Sequence, residues 1–60
     1  MKSSRWEVKA VMAPTDTYRF LVEFPGKPGL RTFSFRRRRW ESLERFLRRV
    51  ERRLNELPDA

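Results

Sequence analysis

Apolar and polar residues alternate along the first half of the chain. Trp6, Val8, Ala10 and Met12 share one parity, and Arg5, Glu7 and Lys9 the other. That period of two marks a half-buried strand. Tyr18, Phe20, Val22 and Phe24 repeat the pattern against Arg19, Leu21 and Glu23, and Phe33 and Phe35 repeat it against Thr32, Ser34 and Arg36. Between the first two runs lies Pro14-Thr15-Asp16-Thr17, a turn in which Pro fixes φ and Asp can bond its own backbone two residues on. Pro25-Gly26 and Pro28-Gly29 separate the second and third runs, and Pro at i+1 with Gly at i+2 suits a type II turn. Strands are expected over about 5–13, 18–25 and 30–36, and links this short favour an antiparallel meander.

The period then changes. Trp40, Leu43, Leu47, Val50, Leu54 and Leu57 step by three or four, with Phe46 widening the stripe. This predicts an amphipathic helix over about 39–57, ended by Pro58. The order β-β-β-α gives an α+β fold: a three-stranded antiparallel meander packed on one C-terminal helix, a single domain over 1–60. The expected core is Trp6, Val8, Met12, Tyr18, Phe20, Val22, Phe33, Phe35, Leu43, Leu47, Val50 and Leu54. The uncovered sheet face should carry Arg5, Glu7, Lys9, Val11, Arg19, Leu21, Glu23, Thr32, Ser34 and Arg36. Glu41/Arg45, Glu44/Arg48 and Arg52/Glu56 stand at i,i+4, a spacing worth a few tenths of a kcal/mol per pair.

Charge narrows the function. The 60 residues hold 15 Lys plus Arg against 8 Asp plus Glu, a net +7, and 12 of the 15 are Arg. A charged fraction of 38% leans toward disorder, but the aromatics are spread through the whole chain and argue for a fold. One core of this size is marginal unless tightly packed or oligomeric. The absence of His and Cys excludes disulfides, Cys/His metal sites and Ser-His triads. No apolar run approaches the roughly 18 residues of a membrane span. Met1 to Lys9 lacks the apolar stretch of a signal peptide, so a soluble cytoplasmic protein is expected.

The basic residues form three candidate surfaces. Arg36, Arg37, Arg38 and Arg39 run from the third strand into the expected helix start, where a positive dipole end prefers Asp, Glu, Ser or Thr. No capping residue stands at 36–40, and an anion would compensate. A biased composition with salt bridges to Glu41 and Glu44 would explain the run without one. Arg45, Arg48, Arg49 and Arg52 form a strip opposite the apolar stripe, read either as a solvated face or as a phosphate-contacting one. Arg5, Lys9 and Arg19 belong to the open sheet, which has the dimensions to enter a DNA major groove. Most aromatics lie on the expected core parity, which leaves few to stack on bases.

Catalytic chemistry is missing. Glu7-Val8-Lys9 matches the tail of an acidic nuclease motif but lacks the upstream Asp. Asp16 is a turn residue and Asp59 a terminal one. Glu23 has no second carboxylate at a spacing that suits two metals. Ser3, Ser4, Ser34 and Ser42 have no base, and no Gly-rich loop precedes a helix. No enzyme, metal or cofactor is expected.

Tyr18-Arg-Phe-Leu-Val-Glu-Phe-Pro-Gly-Lys-Pro-Gly29 resembles the HicB-like antitoxin domain, through Val22, Glu23, Phe24, Pro25, Pro28, Gly29 and Thr32. The resemblance implies a βββα unit that binds a small toxin ribonuclease. Trp6-Glu7-Val8, Arg31-Thr32-Phe33 and the Trp40–Leu57 helix are similar in outline to the three-stranded arm-binding domain of tyrosine recombinases. That likeness implies an open sheet face in the DNA major groove. Arg38-Arg39-Trp40 with Leu43 resembles a helix start in phox-homology lipid-binding domains, a fold about twice as long as this chain. The expected function is a non-enzymatic nucleic-acid-binding module, DNA ahead of RNA, using the eleven basic residues of the three surfaces. The alternative is a protein-binding module: an antitoxin-like or phage-type inhibitor of an acidic protein, or a homodimer built through the open sheet. A free-standing scaffold with no partner is the third reading.

Overall fold

In the computed structural model, which describes residues 1–57, the alternating segments are β1 (Glu7–Met12), β2 (Thr17–Glu23) and β3 (Leu30–Arg36), and the helix is α1 (Leu43–Glu56). Pro58 and Asp59 lie outside the described residues. The strands form one antiparallel sheet in the order β1-β2-β3. The α+β meander with one C-terminal helix is therefore the architecture. The turn at 24–27 closes with Lys27 N–H donating to the Phe24 carbonyl at 3.1 Å. Pro25 occupies its second position, and Gly26 at φ 83° supplies the left-handed third residue that a type II turn requires.

The register of β1 departs from simple alternation. Val8 pairs with Val22, but Ala10 pairs with Leu21 and Val11 with Phe20, so a bulge falls between Val8 and Ala10. One extra residue flips every later side chain to the other face. Met12, expected in the core, thus lies on the open face and is 47% exposed. Val11, expected on the open face, pairs with Phe20 on the helix side, where it remains 49% exposed.

Six side chains form the buried centre: Trp6, Phe20 and Val22 from the sheet side, and Phe46, Val50 and Leu54 from α1. Phe46 meets Tyr18 at 4.7 Å and Phe20 at 6.2 Å between ring centroids, and the edge of Phe35 meets Phe20 at 5.7 Å. The helix thus docks through the i, i+4, i+8 row that begins at Phe46. Leu43, expected in the core, is 47% exposed. Trp40, expected to head the stripe, lies outside the helix and is 70% exposed.

Both ends of α1 are satisfied. Ser42 is the N-cap: its side-chain oxygen accepts from Arg45 N–H at 3.2 Å, and its carbonyl accepts from Phe46 N–H at 2.9 Å. The expectation of an uncapped helix starting near 39 is therefore wrong. The chain waits for Ser42, and the arginine run stays outside the helix. At the other end Arg5 donates to the carbonyls of Asn55 (3.0 Å) and Leu57 (2.6 Å), where a cation suits the dipole. The indole N–H of Trp6 donates to Asn55 Oδ1 at 2.8 Å. Arg5 thus ties the chain start to the helix end rather than lying on the open sheet face. The outer edge of β1 is covered by Val8 N–H donating to the Met1 carbonyl and by the Lys2–Glu7 bridge. β3 forms the other edge and, among the described residues, pairs only with β2.

Candidate functional site

The segment between β3 and α1, residues 37–42, gathers the chemistry. Glu41 is its hinge pin, an acid with only 5% of its surface exposed. Its Oε2 accepts from Arg49 Nε at 2.9 Å and its Oε1 from Arg49 Nη2 at 2.9 Å, a two-pronged pair across the helix start. Oε1 also accepts from the backbone N–H of Arg38 at 3.2 Å. These donors hold the Glu41 carboxyl well below its usual range, at about 2, with the Arg49 hydrogen bonds the largest cause and burial opposing them. The same bonds raise the Arg49 pKa. Arg49 further donates to the Arg36 carbonyl at 2.7 Å and lies 5.3 Å from the Phe46 ring centroid. Among the described residues no buried side-chain polar atom lacks a partner.

Around this pin the chain makes a tight turn. Glu41 N–H donates to the Arg38 carbonyl at 3.0 Å, so Arg39 and Trp40 occupy the two central positions of a four-residue turn. The Arg38 guanidinium lies over the Trp40 ring, 5.6 Å from its centroid. Arg37 folds back, donating from Nε to the Glu41 carbonyl at 3.1 Å and from Nη1 toward the Tyr18 hydroxyl at 3.5 Å. Its backbone N–H donates to the Asp16 carbonyl at 3.1 Å, and Arg36 Nε donates to Asp16 Oδ2 at 3.1 Å. The turn between β1 and β2 is thereby joined to the end of β3. An open hollow of about 1200 Å³ lies here, bordered by Asp16, Tyr18 and the side chains of Arg36 to Trp40.

The structure divides the sequence-nominated basic residues into working parts and free ones. Arg5, Arg37 and Arg49 hold the fold together. Arg36 and Arg48 are exposed and paired, with Asp16 and with Glu44 (2.6 Å). Lys9 lies on the open face between Glu7 (3.1 Å) and Glu23 (3.9 Å), and its hydrogen bond holds Glu7 below its ordinary pKa while Glu7 raises that of Lys9. The side chains of Arg19, Arg39, Arg45 and Arg52 make no hydrogen bond or ion pair among the described residues. Of the expected i,i+4 pairs only Glu44/Arg48 forms. Glu41 lies before the helix and takes Arg49 instead of Arg45, and Arg52 and Glu56 stay apart. Rather than a basic plane, the open sheet presents rows of mixed character: Met12–Arg19–Ser34, Ala10–Leu21–Thr32 and Glu7–Glu23–Leu30.

The structure gives Trp40, Glu41 and Ser42 places other than those the sequence pattern suggested: Trp40 is exposed in a turn, Glu41 is buried against Arg49, and Ser42 is the helix cap. Ser42 directly before Leu43 was a legible cap signal, hidden because the apolar stripe continued back to Trp40. The Glu41–Arg49 pairing has no sequence signal, since a spacing of eight reaches across a helix start only in this geometry. Among the described residues no three His, Cys, Asp or Glu side chains gather to hold a metal, and no helix is long and apolar enough to cross a membrane. Comparison with protein-family models, curated proteins and solved structures finds no match to this chain.

Proposed function

We propose that the protein is a non-enzymatic nucleic-acid-binding module whose contact surface is the arginine-rich end and the outer face of α1. The observation that carries this reading is the surplus of uncompensated guanidinium there. Arg37, Arg38 and Arg39 make no ion pair, and Arg45 in the first helical turn and Arg52 on the same helix face are unpaired among the described residues. The local acids are already committed, Glu41 to Arg49 and Asp16 to Arg36. A polyanion fits such a surface, because each phosphate met by an arginine releases condensed counterions. The open sheet face, with Glu7 and Glu23 beside Lys9, supports the reading less well than this end does. Self-association is a second reading, favoured by β3 being a seven-residue edge strand whose outer side pairs with no strand among the described residues.

Fluorescence anisotropy against labelled DNA and RNA over a salt series tests the first reading, with sedimentation in the same buffers reporting the second. Binding should persist near physiological salt, and log K should fall linearly with log salt. Replacing Arg39, Arg45 and Arg52 together by Gln should reduce the steepness of that line by about 0.7–0.9 per arginine lost, with folding unchanged. Binding that vanishes at modest salt, or a slope indifferent to the triple substitution, overturns the proposal.

A further inference from the structure

Trp40 is a large aromatic side chain that stands outside the core. It is 70% exposed, while the buried centre is already filled by Trp6, Phe20 and Phe46. Turn chemistry does not call for it either, because the central positions of a turn favour Pro, Asp, Asn or Gly. Trp40 sits at a central position of the Arg38–Glu41 turn. That turn is closed by two hydrogen bonds, Glu41 N–H to the Arg38 carbonyl and Arg38 N–H to Glu41 Oε1, and Glu41 is itself clamped by Arg49. The ring is thus carried on a braced platform. One of its faces is backed by the Arg38 guanidinium at 5.6 Å. Its neighbour Arg39 is unpaired among the described residues, and the adjoining hollow is large enough for a nucleotide-sized ligand.

We infer that Trp40 is a stacking platform for an unpaired base of single-stranded nucleic acid, with Arg39 meeting the adjacent phosphate. The inference rests on the nucleic-acid reading and narrows it. A duplex keeps its base faces stacked inside and offers edges and phosphates, whereas an unpaired base offers a flat π-face to an indole. The arginine behind the ring makes a three-layer stack of cation, indole and base. Every base has such a face, so the preference is for unpaired bases in general rather than for one sequence. The aromatics of the core take no part, in keeping with their burial.

The decisive comparison uses the full chain with two labelled strands of equal length and charge, an oligothymidine of about 12 nucleotides and its abasic counterpart. The base-bearing strand should bind about tenfold more tightly than the abasic one. Tryptophan emission should be quenched only by the base-bearing strand, and the quenching should belong to exposed Trp40, since Trp6 is 1% exposed. Trp40→Leu keeps apolar bulk without a π-face and should abolish the ratio. Trp40→Phe should retain most of it, and both variants should melt as the parent does. Equal, measurable affinity for the two strands overturns the stacking inference and leaves phosphate binding standing, as does a ratio that survives in Trp40→Leu. No affinity for either strand also overturns the stacking inference, and the salt series with duplex DNA then decides the nucleic-acid reading by itself.

Discussion

Glu41 shows how one side chain can brace an otherwise repulsive surface. Four consecutive arginines meet at the end of β3, and the only deeply buried acid in the described chain holds Arg49 and the Arg38 backbone beside them. Its carboxyl titrates at about 2 in the folded chain against an ordinary 4.5. As pH falls, the unfolded chain therefore takes up the proton first. The stabilisation from Glu41 is complete above pH 4.5 and is lost as pH falls through about 2. Glu41→Gln keeps the shape and removes the charge, leaving the half-buried guanidinium of Arg49 without its counterion. Urea midpoints of parent and variant should differ by a constant amount above about pH 5 and converge toward pH 2. A difference that does not change with pH would show that Glu41 acts only by shape. From sequence this acid looked like a partner of Arg45. The i,i+4 rule holds only inside a helix, and Glu41 precedes the cap.

At the scale of elements, period carried more information than parity. The existence and order of three strands and a helix follow from the change of period between Arg36 and Leu43, and β3 lies where the alternation puts it. The face of β1 beyond Lys9 does not follow. Ala10, Val11 and Met12 are consecutive apolar residues, so alternation there fits either face, and the bulge selects the one that exposes Met12. The helix likewise has its stripe along the expected side but its anchor three residues further on, at Phe46 rather than Leu43. By spacing, Leu43 and Phe46 are equivalent candidates; in the structure the sheet lies under Phe46. Substituting each by Ala separates the two readings. Phe46→Ala removes a ring with no exposed surface, in contact with Tyr18 and Phe20, and should cost about 3–5 kcal/mol. For a domain of this size that is most or all of the net stability, so the variant should be largely unfolded by circular dichroism at room temperature. Leu43→Ala should stay within about 0.5 kcal/mol of the parent. Equal costs would return the anchor to Leu43.

For the whole molecule, size and charge pull against each other. A chain of sixty residues, with six fully buried side chains among the described ones, has little stability in reserve, and a net charge of +7 adds self-repulsion in the compact state. The repulsion is uneven: Arg36, Arg48 and Arg49 are met by Asp16, Glu44 and Glu41, whereas Arg39 at the arginine-rich end, Arg45 and Arg52 on α1 and Arg19 on the open sheet have no acid partner among the described residues. Two effects of added anions can therefore be told apart. Simple salt screens all exposed charges alike over a distance of about 10 Å at 0.1 M. A polyanion that spans several arginines binds the folded arrangement and stabilises it in proportion to the logarithm of its concentration over Kd, about 2.7 kcal/mol at a hundredfold excess. In a domain of this length each kcal/mol moves the melting midpoint by about 4–8 °C. Thermal melts in inorganic polyphosphate should therefore exceed those in sodium chloride of the same ionic strength by roughly 10 °C or more near saturation. The excess should shrink when Arg39, Arg45 and Arg52 are replaced by Gln. Equal midpoints in the two salts would mean that the positive charges act only as a diffuse field, with no arrangement of arginines that recognises a chain of phosphates.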